Sequence, residues 1–105
     1  MTKKIIVNNK EYKMPKMSIG TYQEYLNLTE ELDKHKRYTA EDIEAMSLFV
    51  CKAYGDKFTV EELQNEETGL DAVGLISEFM IIDANIGEEL SAKLESYSAN
   101  FQENK

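Results

Sequence analysis

Residues 79–87 read FMIIDANIG, and how they are read decides the fold. Phe79, Met80, Ile81 and Ile82 form an unbroken apolar run in a chain with 20 acids against 12 bases. Upstream, Asp71 is placed to cap a helix carrying Leu75, Ile76, Phe79, Met80 and Ile82 or Asp83. Apolar residues lie nearly all the way round this helix, a pattern of burial on several sides. It is therefore expected to be the central, most buried helix, with Gly87 interrupting it. Past the glycine the rhythm changes. Ile86, Leu90, Leu94, Tyr97 and Phe101 follow one another at steps of four, four, three and four. That spacing is a single stripe on an amphipathic helix.

Moving towards the N-terminus, Leu70 and Asp71 are preceded by the loop Asn65 to Gly69 and by TVEEL (59–63). Thr59 with Glu62 makes a capping box for a short helix carrying Val60 and Leu63. Before it, Thr39 with Asp42 forms a variant capping box. The helix behind it holds Ile43, Met46, Phe49 or Val50, Ala53 and Tyr54, and Gly55 is its left-handed C-cap. SIGTYQEYLNLTEELDKHK (18–36) predicts a further helix capped by Ser18. Its expected inner face is Ile19, Tyr22, Leu26 and Thr29, with Leu32 and Tyr25 beside them, and its end carries Lys34, Lys36 and Arg37.

The first element is a hairpin. In KKIIVNNKEYKM (3–14) two short runs flank Asn8-Asn9, and asparagine tolerates the positive φ of a two-residue turn. That turn pairs Val7 with Lys10, Ile6 with Glu11 and Ile5 with Tyr12. Ile5, Val7, Tyr12 and Met14 then share one face, and Lys4, Ile6, Glu11 and Lys13 the other. Pro15 ends the second strand. A lone hairpin is marginal, so it must lie on helices or on another chain's sheet.

Together these elements predict an α+β, mainly helical fold: an N-terminal β-hairpin packed on a bundle of four to five helices. The expected organisation is one globular domain over 1–86, with 87–105 an amphipathic C-terminal helix or a partly disordered tail. Hydrophobic residues are 42% of the chain and charged residues 30%, an ordinary soluble balance. The longest apolar run is four residues, too short to span a membrane or form a signal peptide's core, so the expected compartment is the cytoplasm. The single Cys51 permits no internal disulfide, which agrees with a reducing compartment. Net charge is −8, and it is uneven: residues 1–37 carry eight bases and five acids, residues 38–105 four bases and fifteen acids. An acidic surface repels phosphate, which argues against nucleic-acid binding.

No catalytic constellation is present in this reading. His35, the one histidine, lies in a run of charges and reads as solvated. One histidine and one cysteine make no nitrogen–sulfur metal set, and Cys51 reads as a small core residue. The pairs Glu61-Glu62, Glu66-Glu67 and Glu88-Glu89 lack the spacing of a calcium loop. Five scattered glycines make no phosphate loop. The expectation is a non-enzyme without metal or cofactor. What remains is apolar surface. The candidate protein-binding residues are Leu90, Leu94, Tyr97 and Phe101, with Phe79, Met80 and Ile82 before them. Three fates are open to the stripe after Gly87: a partner or a second copy, folding back on the bundle, or disorder. The hairpin edge is a second candidate, through strand addition.

The succession of parts resembles the small tail assembly chaperones of long-tailed bacteriophages of Gram-positive hosts. The resemblance is carried by KIIVNNKEYKMP (4–15), YQEYLNLTEEL (22–32), YTAEDIEAMSLFVCKAYGDKFTVEEL (38–63) and GLDAVGLISEFM (69–80). It implies a non-enzymatic, α-rich protein that coats the helical tape measure protein in the host cytoplasm, recruits tail tube subunits and is absent from the finished virion. The rival reading is a small acidic regulatory or inhibitory protein-binding module, motivated by the charge excess from Tyr38 onward.

Overall fold

The computed structural model describes residues 4–103, with side chains described to Glu95. The order of elements is β1 (Lys4–Val7), β2 (Lys10–Lys13), α1 (Ile19–Asp33), α2 (Ala40–Ala53), α3 (Val60–Gln64) and α4 (Ala72–Glu103). The fold is α+β and mainly helical: a two-stranded antiparallel hairpin against four helices.

The hairpin has the expected turn and register. Asn8 and Asn9 take φ of 57° and 61°, the doubly left-handed turn whose twist suits antiparallel strands. Ile5 stands opposite Tyr12, Ile6 opposite Glu11 and Val7 opposite Lys10. Ile5 and Val7 are buried, Tyr12 and Met14 half-buried, and the other face is exposed. Two contacts seat the hairpin on its own chain. The Tyr12 ring lies 5.2 Å from Phe58, and the Asn8 amide donates to the Thr68 carbonyl in the α3–α4 loop at 2.5 Å. That loop passes close to α3: a Cβ on Gly69 would lie 2.1 Å from the Leu63 carbonyl oxygen, so only glycine fits.

Each helix starts on a side-chain cap. Ser18 Oγ accepts from the Thr21 amide at 3.1 Å. Thr39 and Asp42 form a full capping box, as do Thr59 and Glu62. Asp71 Oδ1 accepts from the Gly74 amide at 2.7 Å and starts α4. At α2 the box extends further, because Asp42 Oδ2 also meets His35 Nδ1 at 2.9 Å. The Thr39 amide above all, and then His35, hold the Asp42 carboxyl below the usual carboxylate range. His35 is thus a partner in a cap rather than a freely solvated side chain. Gly55, at φ 79°, closes α2.

The structure corrects three expectations. First, the central helix is α2, which packs against α1, α3 and α4; it buries Met46, Phe49, Val50, Cys51 and Ala53. α4 is buried on one side only: Leu75, Phe79, Ile82 and Ile86 face inward while Val73, Met80 and Ile81 are exposed. Among the described residues no element covers its outer face. Second, the inner face of α1 is Tyr22, Tyr25, Leu28 and Leu32, whereas Ile19 and Leu26 are exposed. A step of three from Tyr22 to Tyr25 puts the second ring 5.9 Å from Phe49, and this aromatic contact sets the rotation of the helix. Third, α4 passes through Gly87 unbroken. A mid-helix glycine costs only about 1 kcal/mol. Gly87 has no positive φ to form a C-cap, and good helix formers follow it in EELSAKL (88–94).

Two stability outcomes follow. Thr39→Ala and Thr59→Ala should each cost about 1 kcal/mol in urea unfolding; no loss at either would contradict the caps. Gly87→Ala should instead gain up to about 1 kcal/mol and raise helicity. A Cβ there meets nothing within 4 Å. A loss would mean that the chain bends at this residue.

Candidate functional site

The inner stripe of α4 fixes where its free surface begins. Leu75, Phe79, Ile82 and Ile86 recur at four, three and four, the period that keeps one helix face against a neighbour. Phe79 meets Phe49 of α2 edge to face, centroids 5.9 Å apart. Two tyrosines flank this contact. Tyr54 donates from its buried hydroxyl to Glu78 Oε1 at 2.9 Å, and Tyr25 of α1 donates to Asp83. Burial, and then the carboxylate each one faces, pushes both phenols above the ordinary tyrosine range. Both therefore stay protonated as donors.

The same stripe continues past the bundle. Ile86 is still buried, but Leu90 is 42% and Leu94 65% exposed. From Gly87 to Glu103 the helix extends for roughly 24 Å at the helical rise per residue. The side chains of Tyr97 and Phe101 lie outside the described residues.

The candidate residues thus fall into three groups. Phe79 at 4% and Ile82 at 0% exposure are covered by the chain's own bundle. Met80, at 53%, lies on the opposite, outward face with Val73 and Ile81. Leu90 and Leu94 lie on the uncovered continuation of the inner stripe.

A second apolar surface was not foreseen. Between α1 and α2 runs an open groove of about 700 Å³ over Leu28, Ala45, Leu48 and Phe49. Leu48, half exposed, is its most accessible apolar residue. The sign was there in MSLFV (46–50), where one helix face cannot absorb Met46, Leu48, Phe49 and Val50 together.

Catalytic chemistry has little to work with. Cys51 is buried in α2, and burial first, then the nearby Asp56 and Glu62 charges, pushes its thiol up to about 11. Among the described residues no three His, Cys, Asp or Glu side chains gather to hold a metal, and no helix is long and apolar enough to cross a membrane.

The described residues thus form a small helical bundle from which the second half of α4 overhangs with Leu90 and Leu94 exposed. The profile of the family described as phage tail chaperone protein matches residues 1–100, and the chain belongs to that family. Its role is that of a chaperone in tail assembly. Comparison with the curated proteins and with the solved structures gives no match.

Tyr54→Phe removes the donor that Glu78 accepts from while keeping the ring. It should destabilise the fold by about 1–2 kcal/mol in chemical unfolding. An unchanged midpoint would show that the hydroxyl contributes nothing to seating α4.

Proposed function

We propose that the chain acts without catalysis, by reversibly binding the tape measure protein and tail tube subunits of the same phage during tail morphogenesis in the host cytoplasm, and that it leaves before the virion is complete. The surface is the projecting half of α4, with Leu90 and Leu94 at its described part and Tyr97 and Phe101 further along. The observation that carries this reading is the inner stripe of α4 running on from the buried Ile86 to the exposed Leu90 and Leu94. In this reading residues 1–86 are the folded base and 87–105 the arm that meets the partner.

The chemistry suits a transient holder. Two half-exposed leucines give a modest contact, of order 1–2 kcal/mol each when buried. Many copies along a long helical client make such contacts effective by avidity, and the loss of neighbours makes release easy. A net charge of −8 keeps coated assemblies apart.

The test is co-purification from cells expressing the surrounding tail proteins. Tagged full-length chain should bring down the tape measure protein, and a chain stopped at Gly87 should not. Leu94→Asp should weaken the association about tenfold or more while salt has little effect. Retention by the truncated chain would move the surface to the bundle or the hairpin edge. Strongly salt-dependent capture of an unrelated protein would favour the acidic regulatory module instead.

A further inference from the structure

The groove between α1 and α2 is separate from the α4 arm, and its construction points to a particular occupant. On α1 its lining runs from Glu24 to Glu31, with His35 just past the helix end, and on α2 from Glu41 to Lys52. The α2 span is twelve residues, roughly 17 Å or three helical turns. Leu28, Ala45, Leu48 and Phe49 form the floor, and Phe49 is held from behind by Tyr25 and Phe79. The two helices are braced at opposite ends of the groove. Lys52 bonds Glu24 at one end, and His35 meets Asp42 at the other. These braces keep the helices joined at the rim while the floor stays open.

The polar groups around the groove are largely committed to one another. Glu24 and Asp42 face Lys52 and His35, and Glu31 faces Lys34. Among the described residues no buried side-chain nitrogen or oxygen lacks a hydrogen-bond partner. A small polar ligand would find Asn27 and Glu41 at the rim but no buried polar atom waiting on the floor to orient it. What the groove offers is a three-turn apolar floor inside a net acidic rim, since its lining carries Glu24, Glu31, Glu41 and Asp42 against Lys52 and His35.

We propose that this groove is a docking site for a lysine- or arginine-flanked amphipathic helix of a partner protein. The apolar stripe of that helix would lie on Leu48, Ala45 and Leu28, with its basic flanks against the acidic rim. Charge separates this occupant from the nearest alternative, the arm of a second copy. The arm has the right shape, but it carries Glu88, Glu89 and Glu95 against Lys93 and would meet the rim with like charge. The groove therefore selects against self-docking and in favour of a basic helix. The chain then has two protein-binding surfaces: an arm that presents apolar residues outward and a groove that receives them.

The probe is a fluorescein-labelled amphipathic peptide of about 18 residues built from leucine and lysine, long enough for the groove. A peptide with glutamate in place of each lysine is the control. Anisotropy titrations use the full chain and full-length variants whose helicity is checked by circular dichroism. The leucine–lysine peptide should bind, and the leucine–glutamate peptide should not. Leu48→Ser and Leu48→Glu should each weaken binding, the second by about tenfold or more, and Glu41→Lys by several-fold. Leu94→Asp should change it by less than about twofold. Glu41 is exposed, so its variant carries the test if the Leu48 variants lose the fold. The proposal is overturned if neither peptide or both bind, or if Leu48 and Glu41 variants bind like the parent. It is also overturned if Leu94→Asp abolishes binding, which would put the peptide on the arm. Self-association in sedimentation that Leu48→Ser removes would identify a second copy as the occupant and overturn it too. None of these outcomes bears on capture of the tape measure protein by the arm, which the truncated chain tests separately.

Discussion

Everything in this protein is arranged around the burial of α2. It is the common neighbour of α1, α3 and α4, and half of its fourteen residues are buried. One helix touching three others means that no other pair needs extensive contact. The cost is that α1 and α4 each have a single well-covered face. At about 25 cal/mol per Å² of apolar surface, the rows on Met46, Phe49, Val50 and Ala53 are the main source of cohesion. The tyrosine–carboxylate bonds are smaller in energy. Their role is directional: Tyr54 to Glu78 and Tyr25 to Asp83 fix the rotation of α4, which apolar contact alone leaves loosely defined.

Local chemistry was legible in the sequence wherever a short-range rule acts alone. The hairpin register follows from Asn8-Asn9 and period two, and the helix starts follow from Ser18, Thr39, Thr59 and Asp71, since a cap is decided within four residues. Helix rotation was not legible in the same way. On α1, steps of four from Tyr22 choose Leu26 and steps of three choose Tyr25 and Leu28; only the position of Phe49, twenty-four residues beyond Tyr25, decides between them. Gly87 is a third kind of case. It reads as a stop when counted as a breaker, yet a penalty of about 1 kcal/mol is too small to end a helix without a capping geometry to replace the lost bonds.

The candidate surface was legible in part for the same reason. The stripe at Ile86, Leu90 and Leu94 is a matter of spacing, and a single helix carries all three. The grouping of Phe79, Met80 and Ile82 with it does not, because adjacent residues on a helix point in different directions, about 100° apart. An apolar run four residues long must therefore place some members outward unless helices surround it. Here α2 covers one side, so Phe79 and Ile82 enter the core while Met80 and Ile81 remain outside. The groove over Leu48 is the other consequence of the shortage of helices. Neither α3, with five residues, nor the hairpin, committed to Phe58 and the α3–α4 loop, extends over it.

Chain length and function meet in this shortage. A domain of about 100 residues buries a smaller fraction of its surface than a larger one. A free-standing protein of this size would replace Leu48, Met80, Leu90 and Leu94 with polar residues at little cost to its core. Under the proposed function a tail chaperone would keep them, as the surface that a client covers. The acidic excess from Tyr38 onward then counterbalances the exposed leucines. Like charges repel, so an acidic surface disfavours contact between copies and favours a client of opposite or neutral charge. Under the proposed function apolar attraction would hold the client and charge would select it, and contacts each this small would let assembly of the tail displace the chaperone.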